Sequence, residues 1–194
     1  MQWPKTIDTR LAAVAIAALA ALVVGLTTLP LPRATLGAVL AALVTLVTIE
    51  DWLNFRVPNL LNLALAAIGV GAFLLGLDPL GDDVERSLLG IIADAALTGG
   101  SLLLVREVYL RLRGIEGLGL GDVKLGAAAG VWVGWQQFAL VVFLGTLAAL
   151  LFVLAKSRHQ GHWPATARIP YASFLAPAIW AGWYLAQWSN LPLF

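Results

Sequence analysis

Residues 138–155 read FALVVFLGTLAALLFVLA, eighteen positions in a row without a charged side chain. Coiled as an α-helix rising ~1.5 Å per residue, this stretch is about 27 Å long, close to the ~30 Å hydrocarbon thickness of a bilayer. Its apolar positions run on continuously rather than alternating, which argues against a barrel strand. A helix also satisfies its own backbone hydrogen bonds in lipid. Outward from this window the same reading recurs over 11–29, 35–53, 60–77, 87–105 and 171–188, with a shorter window over 123–135. The prediction is an all-α, polytopic membrane helical bundle of about seven segments, one of them short.

Composition supports the same class. Of 194 residues, 60% are hydrophobic and 12% charged, and mean hydropathy is +0.88; an ordinary soluble domain has about half and a quarter, respectively. Twelve Lys and Arg against eleven Asp and Glu leave no basic surface for nucleic acid. The absence of cysteine excludes disulfides, thiolate metal sites and cysteine nucleophiles. The polar stretch 106–122 is too short to bury a core of its own, so residues 1–194 are expected to form a single integral-membrane domain. Lys5 and Arg10 precede an apolar run in the manner of a signal peptide, but the run is long and lacks a clear small-residue cleavage site, so it reads as a retained helix.

Basic residues favour the cytoplasmic side. With the N-terminus cytoplasmic, all Lys and Arg except Arg33 and Arg86 fall inside, and Asp78, Asp82, Asp83 and Glu85 fall outside. The short 123–135 window is the weak joint, because merging or splitting it inverts everything that follows. Trp3, Trp52 and Trp163 are expected at the inner interface, Trp132, Trp135 and Trp188 at the outer one, and Trp180 and Trp183 in packing.

Acids in or at the ends of spanning helices are costly and call for a functional hypothesis; here they are Glu50, Asp51, Asp94 and Asp122. Asp51 ends the second segment and Asp122 opens the fifth, so the predicted topology returns both to the inner face. Two carboxyls brought close cannot both ionise comfortably, so one keeps a proton while the other acts as a base. Such a pair activates water against an amide carbonyl and protonates the leaving amine. Taken singly, each acid reads more readily as a solvated helix end than as a catalytic group. Glu50 points about 100° away from Asp51 on a helix and is not expected to share its site.

The text Gly117-Leu118-Gly119-Leu120-Gly121-Asp122 brings glycines, which permit close backbone approach, up to the second acid. Gly99, Gly100, Gly126 and Gly130 read as helix-packing residues. Pro58 and Asn59 predict a turn, with Asn59 capping the next helix. Asp94 reads as a hydrogen-bonded structural acid, with a proton relay as the alternative. Glu107 and Glu116 either meet a basic peptide or form a solvated face beside Arg106, Arg111 and Arg113. His159 and His162 lack a nearby third ligand and read as a solvated loop. Ser101 and Ser173 have no histidine partner in their local sequence and are not assigned as nucleophiles.

Three stretches taken together carry a resemblance: Asp51 seven residues before Pro58-Asn59, Gly119-Leu120-Gly121-Asp122-Val123-Lys124-Leu125, and Ile169-Pro170-Tyr171-Ala172-Ser173-Phe174-Leu175. In order and spacing they resemble the type IV prepilin leader peptidases, membrane aspartic proteases of the Gly-x-Gly-Asp type, over about residues 35–185. The resemblance implies cleavage of a short basic leader from prepilin or pseudopilin precursors at the cytoplasmic face of the bacterial inner membrane. It implies Asp51 and Asp122 as the catalytic pair, with no metal or other cofactor. Gly119, Gly121, Lys124, Pro58, Asn59 and Pro170 are implied only as site-shaping or positioning residues. Many bacterial members add an N-terminal, cysteine-containing domain associated with N-methylation. This chain has no cysteine, so a peptidase-only form is expected. A competing reading is a small proton- or cation-conducting transporter using Asp51, Asp94 and Asp122, which would need acids at staggered depths.

Overall fold

The computed structural model describes residues 7–81, 86–160 and 168–189. The readings of Trp3, Lys5, Asp82, Asp83, Glu85, His162 and Trp163 lie outside these residues, as do the side chains of His159 and Trp188. Local chemistry sets the helix limits. Helix α1 (Ile7–Leu26) gives way to a turn in which the Thr28 and Leu29 N–H groups donate to the Gly25 carbonyl. Pro30 then opens α2 (Leu31–Asn54), where a missing N–H costs nothing because the first turn has no acceptor for it. Helix α2 ends at Phe55, a non-glycine residue in the left-handed region (φ 51°) whose N–H returns to the Asp51 carbonyl at 2.8 Å. Pro58 opens α3 (Asn59–Leu74). Helix α4 (Leu88–Arg113) is capped by the Ser87 hydroxyl, which accepts from the Gly90 N–H, and stops at Gly114 (φ 70°). Helices α5 (Leu120–Gln160) and α6 (Ala172–Ser189) complete the described elements.

The fold class is all-helical, as the sequence predicts, but the described elements are six helices rather than seven segments. The windows 123–135 and 138–155 share α5, whose backbone leaves helical geometry at Gly134 (φ 64°, ψ 170°). In a straight helix residues 126 and 138 would be about 18 Å apart. Here the Phe138 ring lies 3.2 Å from where a Cβ on Gly126 would stand, so the chain doubles back and α5 is a hairpin of two arms. Helix α4 also runs eight residues beyond its predicted end, shortening the loop before α5 to 114–119.

Small residues let the first arm of α5 lie against α4. A Cβ on Gly99 would stand 2.7 Å from the Ala127 Cβ, and one on Gly126 would stand 2.6 Å from Leu102. Close backbone approach of this kind is how helices associate in lipid, where apolar side chains gain nothing by leaving the solvent. Trp132, expected at an interface, is instead fully buried and donates its indole N–H to the Leu65 carbonyl at 2.8 Å. Trp183 is buried as expected and donates to the Pro79 carbonyl, while Trp180 stacks on Tyr184. Exposed Leu11, Ile16, Leu19, Leu103, Leu104, Phe143 and Leu151 cover the outside. Among the described residues, four helices (α1, α2, α4 and α5) are long and apolar enough to cross a membrane, and α3 is apolar but shorter. The protein is therefore a multi-pass membrane protein.

At one end of the bundle a buried ionic cluster ties three elements together. Arg86 reaches Asp78 at 2.8 Å and Asp94 at 3.1 Å, and donates to the Val131 carbonyl. The break at Gly134 also leaves the Trp135 N–H free of a helical acceptor, and it donates to Asp94 at 3.2 Å. Asp94 is thus the hydrogen-bonded structural acid of the sequence reading.

Candidate active site

The opposite end of the bundle gathers the other acids. Asp51 lies in the last turn of α2 and is 5% exposed. Asp122 lies in the first turn of α5, where its carboxylate accepts from the Gly119 N–H at 3.2 Å. That bond satisfies one of the unpaired donors at a helix start, so Asp122 has a local structural reason for its position. Both acids line one open cleft of about 850 Å³, walled by Glu50 to Asp51, Asn54 to Asn59 and Gly119 to Asp122.

The glycines make this convergence possible. A Cβ on Gly121 would stand 3.3 Å from the Val57 Cβ, and one on Gly119 would stand 3.1 Å from the Asp122 carboxylate. Larger residues would push α5 away from the 55–58 turn or crowd the acid. Across the same gap Lys124 donates to the Asn59 side chain at 2.9 Å, and Asn62 donates to the Gly121 carbonyl at 3.4 Å. Asn59 is therefore not the expected cap: Pro58 holds the N-cap position of α3, without a side-chain cap bond, and the Asn59 side chain turns to Lys124.

Pro170 is buried immediately before α6, and its carbonyl accepts from the Ser173 N–H at 3.2 Å. The same N–H approaches Asp51 Oδ2 more closely, at 2.8 Å, and the Ser173 hydroxyl lies 3.1 Å from that oxygen. An aromatic cluster holds this corner together, with Trp52 edge-on to Phe152 at 5.5 Å and to Phe174 at 6.2 Å. Sequence reasoning missed Ser173 as a partner of Asp51 because nothing local links residues so far apart in the chain.

Glu50 departs from its expected place, since it lines the same cleft. Its carboxylate is engaged by Arg10 of α1 and by Asn54, both at 2.7 Å. Glu107 and Glu116 both pair with Arg106. Chemically, the cleft offers two carboxyls in its lining beside backbone that an extended peptide can approach.

A model of the type IV leader peptidase family matches residues 38–154, the stretch that holds both acids. The chain belongs to the type IV leader peptidase family. It is similar to the prepilin leader peptidase/N-methyltransferase of Aeromonas salmonicida (strain A449), at 33% identity over 89% of this chain and 56% of that protein. The protein of that name from Neisseria gonorrhoeae is 30% identical over 78% of this chain and 53% of its own length. That from Aeromonas hydrophila is 32% identical over 80% and 50%. The chain thus spans about half the length of the curated relatives it matches. No solved structure matches it.

The family membership goes against the transporter alternative, and the partners of Asp94 give that acid a structural role instead. That acid bonds the backbone at Trp135, one arm of α5 away from Asp122, or roughly 18 Å at helical rise. Its carboxylate is locked to Arg86 and does not join the other two.

Proposed function

We propose that this family member is a membrane aspartic endopeptidase that removes the short basic leader from type IV prepilin-like or pseudopilin precursors. The cleft lies at the cytoplasmic face of the bacterial inner membrane in this reading, with the N-terminus cytoplasmic. The observation that carries it is the pair of acids, Asp51 from α2 and Asp122 from α5, lining one cleft. One carboxylate takes a proton from water as the water oxygen bonds to the scissile carbonyl carbon, and the other carboxyl donates to the carbonyl oxygen. The first proton then passes to the leaving amine as the C–N bond breaks. Gly119 and Gly121 leave room for substrate backbone. Pro58, Asn59, Lys124 and Pro170 hold the elements that carry the acids. Only the peptidase half of the relatives' name is proposed, since paired carboxyls are equipment for amide hydrolysis.

The test is cleavage of a prepilin precursor by the purified protein in detergent. Asp51→Asn and Asp122→Asn are each expected to lower kcat by about 10²–10⁴-fold or more, the share carried by a positioned acid or base. Full cleavage by either variant would falsify the pair.

A further inference from the structure

Ser173 aims two donors at a single oxygen of Asp51, the backbone N–H at 2.8 Å and the hydroxyl at 3.1 Å. Asp122 accepts the Gly119 N–H at 3.2 Å and, among the described residues, no side-chain donor equivalent to the Ser173 hydroxyl. Donors that point at a carboxylate favour its charged form. When two carboxyls share a cleft and only one ionises readily, the better-supplied one carries the charge. The Ser173 hydroxyl has one hydrogen and two acceptors at equal distance, Asp51 Oδ2 and the Thr48 carbonyl, both at 3.1 Å. A charged carboxylate outcompetes a neutral carbonyl for that hydrogen. Once the carboxyl is protonated, the carbonyl becomes the better acceptor and the hydroxyl can turn to it at no loss of hydrogen bonding.

We propose that Ser173 is a positioning residue that makes Asp51 the ionised member of the pair, and hence the base, leaving Asp122 as the acid. This rests on the peptidase reading. In the forward step Asp51 takes a proton from water, the hydroxide oxygen bonds to the carbonyl carbon, and the Asp122 proton moves to the carbonyl oxygen. On collapse the proton on Asp51 goes to the amine nitrogen, the C–N bond breaks, and the hydroxyl proton of the intermediate returns to Asp122. The hydroxyl of Ser173 follows the charge, donating to Asp51 before the proton arrives and to the Thr48 carbonyl afterwards. Ser173 itself touches neither the water nor the peptide and acts only through Asp51. Other titratable or charged groups around the cleft are Asp122 on α5, Glu50 with its partner Arg10, Arg56 in the turn after α2, and Tyr171 ahead of α6, which lies toward Asp122. None of these changes when the hydroxyl alone is removed.

The experiment compares Ser173→Ala and Ser173→Thr with the unaltered protein in detergent, on a prepilin precursor, across pH. Ser173→Ala keeps the backbone donor and loses the hydroxyl. Its kcat is expected to fall about tenfold with KM unchanged, the size of one hydrogen bond to a charged group. Because the base then holds its proton more tightly, the acidic limb of the rate profile moves to higher pH by about one unit. Ser173→Thr, which restores a hydroxyl, recovers both. An unchanged acidic limb in Ser173→Ala, with or without a loss of rate, overturns the proposal, since a packing defect lowers rate without moving the limb. Infrared difference titration of the Asp51 carboxyl, assigned with Asp51→Asn, gives a reading independent of turnover. If the unaltered protein cleaves no prepilin, the peptidase reading fails. A shift of the Asp51 titration in Ser173→Ala still supports the electrostatic role, and an unshifted one removes it.

Discussion

At the scale of single residues, the site is fastened by weak and strong contacts that carry different expectations. The Lys124–Asn59 hydrogen bond is exposed, so solvent screens it and side-chain ordering offsets much of its gain. Lys124→Ala and Asn59→Ala should each cost about 0.5–1 kcal/mol, and the double variant no more than either alone, in a double-mutant cycle read by unfolding in detergent. Additive losses would mean the two side chains act separately. Asp94 is the contrasting case. Its carboxylate is buried against Arg86 and the Trp135 N–H. Asp94→Ala leaves a guanidinium deprived of part of its compensation and should destabilise by about 3–5 kcal/mol, seen as a lowered melting temperature. A melting temperature equal to that of the unaltered protein would count against the cluster as a fastening. Asp51, Asp94 and Asp122 were all visible in the sequence as anomalies, because an acid in an apolar helix stands out. Their partners were not visible, since Ser173 and Trp135 reach them only through folding.

At the scale of elements, the decisive unit is α5. Window hydropathy finds two segments there, and the helix that contains both folds back at Gly134. The backbone at that position (φ 64°, ψ 170°) is one that only glycine adopts without strain, and an added Cβ would stand 3.1 Å from Leu80. Gly134→Ala is therefore expected to cost about 1–3 kcal/mol. Limited proteolysis and thermal unfolding in detergent would register this as earlier opening of the hairpin; an unaltered profile would contradict the strain. The sequence cannot mark this glycine as the hinge, because this apolar region holds several others that serve packing instead. Gly126 and Gly130 look the same on paper, yet both sit in helical backbone against α4. The fate of Trp132 has the same origin: an indole near a segment end suggests an interface, but the arm that carries it is enclosed by its neighbours.

At the scale of the whole molecule, the returning helices put Asp51 and Asp122 at one end and the Arg86 cluster at the other. Cysteines introduced at Asn54 and Gly114 would be the only thiols, as the chain has none, and both should label with an impermeant reagent from the cytoplasmic side. Labelling of the two from opposite sides would split the acids across the bilayer. By itself the sequence determined the helical membrane class, because runs of apolar side chains admit little else in lipid. It also singled out the acids that call for an explanation, because a carboxyl is costly there unless it is solvated, paired or used. The tertiary structure alone decided the company those acids keep. The helical break at Gly134, the donors from Ser173 and the presence of Glu50 in the cleft depend on packing between elements far apart in the chain. Hydropathy is a property of each segment taken alone, and such contacts are not.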